Sequence, residues 1–245
     1  MARPTRSETE RRRDGMRAAA VMHELALRVG AENPHQFAGY FDRLTMMTTQ
    51  ATGKWRLNFS GDKALSAQQL YLLARVDADV VHLHQNGPDD LWRAMWGDVH
   101  MLWQLCRTRL ISAGPVLDDR IWEKIENGCG SERDFLLTMA EFEGEFLLAE
   151  FYGVTPVFRH LTESIALYRL HREMSAIIPL GMDGAGVARC VRLCLEEKTI
   201  AEKLQRLGVL DGVWEELAAV VGMQGERMLA EDRWDILASK LDWIG

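Results

Sequence analysis

Apolar residues recur every three or four positions along most of this chain, which is the spacing of a helix with one buried face. The clearest case is residues 33–50, where an asparagine–proline pair has the order of an N-cap and a first helical residue and a regular apolar stripe follows. Ser7 with Glu10 has the spacing of a capping box, and Ser66 with Gln69 has it again. These positions predict the starts of three helices.

The rest of the chain has the same period, interrupted by glycine–proline pairs at 87–88 and 114–115. Asp89 and Asp90 precede a long apolar stripe and predict one helix that continues through Ile111. The pattern predicts further helices at residues 121–125, 131–149, 155–174, 187–207, 211–221 and 225–243.

Residues 51–65 fit two patterns. Trp55, Leu57 and Phe59 alternate with polar residues as in a short strand, whereas Trp55 and Phe59 are also spaced as neighbours on one face of a helix. Because the flanking segments are helical, we interpret this stretch as a short helix that ends near Ser60–Gly61.

The predicted fold class is therefore all-α, a multi-helix bundle of roughly ten helices without a fixed-period repeat or a convincing strand pair. At 245 residues the chain suits one large domain or two modest ones. We predict a basic N-terminal arm at residues 1–17, an N-terminal helical domain at residues 18–113 and a larger acidic helical domain at residues 116–245.

Charge is sorted along the chain, and this sorting sets the predicted division. The formal charge is +3 over residues 1–17, zero over residues 18–110 and −10 over residues 111–245, which gives the total of −7. A basic arm and an acidic half predict surfaces that meet different partners. The acidic helices are expected to bind another protein or a second copy of this chain, so a homo-oligomer is predicted.

The composition predicts a soluble cytoplasmic protein, and a bacterial source is expected. The longest apolar stretches are far shorter than the roughly 20 residues that cross a bilayer, and no apolar segment of a secretory signal follows the first arginines. Four cysteines without an export signal favour reduced thiols. Cys190 and Cys194 are four positions apart on a predicted helix, and we interpret them as core residues.

Residues 48–76 carry the best candidate for a binding site. A threonine-rich stretch around Thr49 leads to Trp55, a glycine follows at Gly61, and Leu-x-x-Leu-Ala occupies residues 70–74. The segment resembles the recognition helix and following helix of phage-repressor-type (Cro/cI-like) helix-turn-helix domains. The resemblance covers about 30 of the 245 residues. It implies a DNA-binding protein of transcription regulation.

The expected side-chain roles follow from this interpretation. Trp55 and Leu57 would anchor the short helix, while Lys54, Arg56 and Asn58 would face outward. Lysine and arginine neutralise phosphates, and arginine or asparagine can read base edges in the major groove of duplex DNA. The candidate nucleic-acid contacts are Thr49, Lys54, Arg56, Asn58 and Lys63, and, from a flexible basic arm that tracks phosphates, Arg3, Arg6, Arg11, Arg12 and Arg13.

Other constellations are interpreted as structural. Residues 199–217 have the rhythm of a second helix-turn-helix, but the would-be reading helix carries Asp211, Glu215 and Glu216 without a base. The glutamates at 141–150 lack a Glu-x-x-His partner for a di-metal site, and the pair His82 and His84 matches no known metal-ligand spacing. No motif identifies a nucleophile with its base, so a non-enzymatic protein without cofactor or metal is expected.

Two functional hypotheses lead, and an enzyme of unfamiliar type is a third alternative. The first is a regulatory protein that binds duplex DNA through its N-terminal third and associates through its C-terminal helices. The second is a helical interaction module, such as an adaptor, chaperone or accessory factor, that does not contact nucleic acid. Its contact surface would be the Trp- and Met-rich helix at residues 92–103 or the glutamate-rich face at residues 141–150.

Overall fold

The computed structural model of the chain describes residues 6–109, 153, 155–175 and 185–221. Within these ranges the chain forms α-helices joined by turns, without a strand, which confirms the predicted all-α fold class. A 3₁₀ turn at Pro88–Asp90 precedes the sixth helix. The helices are α1 (Glu8–Arg28), α2 (Pro34–Thr45), α3 (Arg56–Phe59), α4 (Ala67–Leu73), α5 (Val80–Asn86), α6 (Leu91–Trp96), α7 (Val99–Arg109), α8 (Phe158–Ser175), α9 (Ala185–Glu196), α10 (Lys198–Arg206) and α11 (Leu210–Val221).

The predicted helix starts at α1, α2 and α4 are confirmed in atomic detail. Ser7 and Glu10 form a capping box in which each side chain accepts a hydrogen bond from the other residue's backbone N–H. Ser66 and Gln69 form the same arrangement at α4, and Asn33 caps α2 through its side chain. The ambiguous stretch at residues 51–65 contains α3, so the short-helix interpretation is also confirmed.

Two long predicted helices are each divided in two. The helix predicted through Ile111 breaks at Gly97, which is extended at φ −63° and ψ 157°. A Cβ atom at Gly97 would lie 2.4 Å from the carbonyl oxygen of Arg93, so the break requires a residue without a side chain. The helix predicted for residues 187–207 breaks at Glu197, which is extended and accepts a hydrogen bond from the N–H of Thr199. Glu197 therefore ends α9 and caps α10.

Other predicted boundaries differ less. Helix α2 ends at Thr45 rather than near residue 50, because Met46 adopts the left-handed conformation with φ 58°. The helix predicted from residue 155 begins at Phe158. The helices predicted at 121–125, 131–149 and 225–243 lie outside the described residues. Among the described helices, none has the length and apolar composition needed to cross a lipid bilayer.

Helix α1 is shared by two hydrophobic cores. Val21, Met22 and Leu25 pack with α2–α5 in what we call the N-terminal core. Met16 and Ala20 pack with α6–α11 in the C-terminal core. A helix that faces one core needs only an apolar stripe, whereas α1 needs apolar residues around most of its middle. The run at residues 18–22 meets this need, since each of its side chains is at most 1% exposed.

The two cores divide the chain at a different place from the predicted boundary. Helices α6 and α7 fall within the predicted domain at residues 18–113, but Leu91, Trp92 and Leu102 pack with α8–α11. The predicted arm at residues 1–17 is, from Glu8 onward, the first part of α1. The break at Gly114–Pro115 and the change in charge balance suggested the boundary between the two predicted domains. Neither signal reports which side chains share a core, because charged residues and turns lie mainly at the surface.

A close approach of two backbones positions the segment between α2 and α4 against α1. A Cβ atom at Gly15 of α1 would lie 2.2 Å from the carbonyl oxygen of Gly61. Gly61 itself has φ 74°, a conformation that favours glycine. Glycine at both positions allows the turn after α3 to lie directly on α1.

Gly15→Ala is expected to destabilise the protein by about 1–3 kcal/mol, because the backbone at Gly61 must move to admit the methyl group. Gly212→Ala in α11 is a matched control, since its methyl group would meet the flexible side chain of Met16 at 2.8 Å from the sulfur. The control also introduces a better helix former. Thermal unfolding followed by circular dichroism makes the comparison, and equal losses in the two variants would contradict the close approach at Gly15.

Candidate nucleic-acid interface

The candidate site is the α2–α4 loop, residues 46–66, which includes α3. Its first turn is held by the carboxylate of Asp42 in α2. Asp42 accepts hydrogen bonds from the backbone N–H of Thr49 at 2.7 Å, from the Thr49 hydroxyl at 2.7 Å and from the backbone N–H of Gln50 at 2.8 Å. Burial favours a raised pKa for Asp42, but these hydrogen bonds and the charge of Lys54 outweigh it and lower the pKa. Asp42 therefore stays ionised and fixes the start of the loop.

Trp55 anchors the centre of the loop, as predicted. Its side chain is 1% exposed and contacts Phe41 edge to face, with ring centroids 5.1 Å apart. The indole Nε1 donates to the hydroxyl of Thr49 at 3.0 Å. Thr49 is 3% exposed, and its hydroxyl donates to Asp42 and accepts from Trp55. It therefore supports the loop from inside the protein. Leu57 was expected to anchor the helix with Trp55, but its side chain is 51% exposed, so that part of the prediction is wrong.

Asn58 closes the end of the loop from inside. Its side-chain amide donates to the carbonyl oxygens of Lys63 at 2.8 Å and Ala64 at 3.2 Å, and its oxygen accepts from the side chain of Gln69 at 3.1 Å. The residue is fully buried. The prediction that Asn58 faces outward to read bases is therefore wrong, because a one-turn helix at this position directs it into the protein.

Three cations of the α2–α4 loop remain on the surface. Lys54, Arg56 and Lys63, which we call the loop cations, are all exposed. Within the described part of the chain, no carboxylate forms an ion pair with any of them. The Lys54 ammonium lies 5.3 Å from the centroid of the Trp55 ring, next to the loop rather than away from it.

A slot of about 350 Å³ opens beside the loop cations. Its walls include Pro34 and Ala38 of α2 and the edge of Trp55, and Arg56 borders it. Gln50 also lines the slot, and its side-chain amide donates to the carbonyl oxygen of His35 at 3.2 Å. The slot therefore has apolar walls, an amide and imidazole on its rim, and one of the loop cations at its edge.

From Glu8 onward, the N-terminal arginines belong to α1 and not to a flexible arm. Arg3 lies outside the described residues. Arg6 pairs with Asp14 at 2.6 Å, and Arg11 is exposed. Arg12 and Arg13 are on α1 and point toward α11, where they pair with carboxylates of that helix. The loop cations thus remain exposed on the α2–α4 loop, whereas Arg12 and Arg13 of α1 are held by carboxylates of α11.

Glu216 of α11 is the centre of this ion-paired cluster. Its carboxylate accepts hydrogen bonds from Arg12 at 3.1 Å, from Arg13 at 3.0 Å and from the indole N–H of Trp96 at 2.9 Å. The Glu216 side chain is only 7% exposed. The guanidinium groups of Arg13 and Arg17 also lie over the Trp96 ring, at 5.3 Å and 4.9 Å from its centroid. The residues that sequence reasoning assigned to separate partners therefore bind each other.

The sequence analysis did not predict this ion-paired cluster, although two features of the sequence are consistent with it. Arg13 and Arg17 are spaced as neighbours on one helix face, and Glu215 is followed directly by Glu216. The partners are about 200 positions apart in the chain, so no local pattern links them. The adjacent Glu215 completes the arrangement by accepting from Arg12 at 2.6 Å.

Other candidate chemistries have a structural explanation or lack a site. Cys190 and Cys194 are fully buried in the C-terminal core, as the sequence predicted. His82 is exposed and His84 half-buried on α5. In the ranges that the structure describes, no three histidine, cysteine or acidic side chains gather closely enough to hold a metal ion. The glutamates predicted as a surface at 141–150 lie outside these ranges.

The Glu216 cluster predicts a dependence of stability on pH. Burial favours a raised pKa for Glu216, but the hydrogen bonds from Arg13, Trp96 and Arg12 outweigh it and hold the pKa below the ordinary 4.5. A carboxyl whose pKa is lowered by folding stabilises the native state fully above its unfolded pKa and loses that contribution as pH falls through the folded value. We expect Glu216→Gln to cost about 1–2 kcal/mol at neutral pH, and the difference from the native protein to shrink below pH about 4.5.

Glu215→Gln is the matched control for this test. Glu215 is on the same helix and pairs with Arg12, but its side chain is 67% exposed. Solvent screens such a pair, so a loss below about 0.5 kcal/mol is expected. Urea unfolding at several pH values measures both variants. A Glu216→Gln loss that stays constant down to pH about 3 would show that ionisation of Glu216 does not stabilise the fold.

Comparison of the chain with protein-family models, with curated proteins and with solved structures found no match.

Proposed function

We propose that this protein is a non-enzymatic regulatory protein that binds nucleic acid through its phosphate backbone, with the loop cations Lys54, Arg56 and Lys63 as the contacts. One observation carries the proposal: these three exposed cations share one short loop and lack an ion pair with any described residue, whereas the other exposed cations of this half without one, Arg11, Arg43 and Arg75, are spread over α1, α2 and the turn after α4. Arginines with such a partner are Arg6, Arg12, Arg13, Arg17, Arg28 and Arg93.

Ion pairing matters because a cation already held by a carboxylate gains less from a phosphate. Arg12 and Arg13 would have to leave Glu216 uncompensated in order to bind a polyanion, which is costly for a carboxylate so little exposed to water. Arg56 and Lys63 have no such cost, and Lys54 interacts with the Asp42 carboxylate only at a distance, without an ion pair. Their loop is also held by Thr49, Trp55 and Asn58 from within, so the charges stand on a fixed backbone.

Asn58 and Thr49 are not among the proposed nucleic-acid contacts, because both are buried. Helix α3 has a single turn, and its Asn58 is buried, so the loop offers phosphate contacts rather than base reading by that residue. Thr49 likewise supports the loop and is removed from the proposed contacts. The binding surface is therefore the three loop cations, without the arginines of α1.

The triple variant K54A/R56A/K63A tests the proposal. Each phosphate contact contributes about 0.9 to the slope of log K against log salt for duplex DNA, so removing three is expected to lower the slope by about 2.7. The native protein should lose about 40-fold more affinity than the variant between about 50 and 200 mM salt. Fluorescence anisotropy with a labelled duplex measures both, and circular dichroism checks that the variant remains folded.

A second triple variant, R75A/K198A/R206A, is the control. It removes the same formal charge from exposed positions outside the α2–α4 loop. It should keep the salt slope of the native protein. A general effect of net charge would instead lower the salt slope of both triple variants equally. Native protein that binds neither a duplex nor a single strand at about 50 mM salt, or equal losses in the two triple variants, would refute the proposal.

A helical protein-interaction module is the second candidate function. It is favoured by apolar side chains that stand exposed on the N-terminal half, namely Met46 at 90%, Tyr71 at 73% and Leu57 at 51%. Met and Tyr are enriched at contact surfaces between proteins. Trp92 is not available for this role because it is buried, and Trp96 is held by Glu216.

Self-association distinguishes this candidate. If these side chains form an interface between copies of the chain, sedimentation equilibrium should show a reversible oligomer that Met46→Ser together with Tyr71→Ser dissociates. Thr48→Ser with Gln68→Ser, also at exposed positions, is the control. A native protein that sediments as a monomer at all concentrations would exclude self-association through this surface.

A further inference from the structure

We infer that the slot beside the loop cations accepts an unpaired nucleobase, so the bound nucleic acid is single-stranded where it meets this surface. The inference deepens the proposed function and rests on it. It combines the composition of the slot, the position of Arg56 and the shortness of α3.

The slot has the composition that a base requires. Its volume of about 350 Å³ is at the small end of pockets that bind organic ligands. Pro34, Ala38 and Trp55 contribute apolar lining, which suits the apolar faces of a base. The side-chain nitrogen of Gln50 already contacts the carbonyl oxygen of His35 at 3.2 Å and the Nε2 of His35 at 3.1 Å, so the Gln50 side-chain oxygen is the group that we assign to the polar edge of a base.

The slot is also preformed. Trp55 is fixed by its hydrogen bond to Thr49 and by edge-to-face contact with Phe41. Gln50 is fixed through its backbone N–H, which donates to Asp42. A site whose walls are already ordered loses little conformational entropy when it is filled.

Charge complementarity places phosphates next to the slot. Arg56 belongs both to the slot and to the loop cations. Lys54 directly follows Gly53, which lines the slot, so a second cation stands one residue from it. A base inside the slot would therefore have its backbone phosphates near two positive charges.

The same surface is poorly suited to a paired base. Major-groove reading uses a helix or ribbon that enters the groove, and α3 is limited to residues 56–59 with its asparagine buried. A base can enter a slot only after it leaves the stack, which costs least in a single strand. Unpaired deoxyribonucleotides and ribonucleotides share this chemistry.

Binding to four labelled probes, measured by fluorescence anisotropy with the full chain, tests the inference. The probes are a deoxythymidine strand, a uridine strand, an abasic deoxyribose-phosphate strand and a duplex, each of about 12 nucleotides or base pairs. Of the two strands that carry unpaired bases, we expect the one that binds better to bind about tenfold more tightly than the abasic strand. The abasic strand offers the same phosphates, so the difference measures the contribution of the base. We also expect it to bind more tightly than the duplex. A difference between the deoxythymidine and uridine strands identifies which nucleic acid is favoured.

Ala38→Phe fills the slot and provides the second measurement. It should reduce binding of the base-carrying strand to the level of the abasic strand while leaving abasic binding unchanged. Ala67→Phe adds the same ring at an exposed position outside the slot and should bind as the native protein does. If Ala38→Phe fails to fold, the comparison of strands on the native protein still decides the question.

The outcomes separate this inference from the proposed function. Equal, salt-dependent binding of abasic and base-carrying strands would overturn the nucleobase slot and leave phosphate binding intact. Duplex binding as tight as that of the single strands would do the same. Failure of every probe to bind would overturn both.

Discussion

The rest of the structure depends on one buried carboxylate, that of Glu216, whose charge is compensated by protein groups instead of water. Glu216 is 7% exposed and is compensated by Arg12, Arg13 and the indole of Trp96. A carboxylate this buried must be paired and hydrogen-bonded, because otherwise its desolvation would oppose folding. The three donors come from α1 and α6, so the ionic contact fixes how α1 lies on the C-terminal helices. The other side of α1 then forms part of the N-terminal core, on which the α2–α4 loop is built.

The charge pattern takes on a different meaning in this arrangement. The basic start and the acidic end of the chain are partners of each other, at least where α1 meets α11. Most arginines that looked available to a polyanion are already held by carboxylates, whereas Lys54, Arg56 and Lys63 of the α2–α4 loop are exposed and form no ion pair with a described residue. The net charge of a sequence segment therefore locates a binding surface poorly, because it does not show which of the cations already form ion pairs.

The α2–α4 loop shows how buried polar groups produce an exposed surface of fixed shape. Asp42, Thr49 and Asn58 hold the loop through hydrogen bonds to its backbone and to Trp55, and Gly15 lets the loop lie against α1. Because these groups are satisfied inside, Lys54, Arg56 and Lys63 are left to solvent. The slot between α2 and the loop is formed by the same contacts, so the proposed phosphate and base sites share one scaffold.

Local chemistry in the sequence determined the helices and several of their ends. Capping boxes at Ser7 and Ser66 and the capping residue Asn33 act within a few residues, so pattern reasoning found them. The break at Glu197 was missed because glutamate is not among the residues usually found at an N-cap, although its side chain caps α10 by accepting from the N–H of Thr199. Tertiary structure alone decided that Asn58 points inward, that Arg12 and Arg13 bind Glu216, and that α6 and α7 join the C-terminal core. Those outcomes depend on contacts between residues far apart in the chain, whose energies no local period encodes.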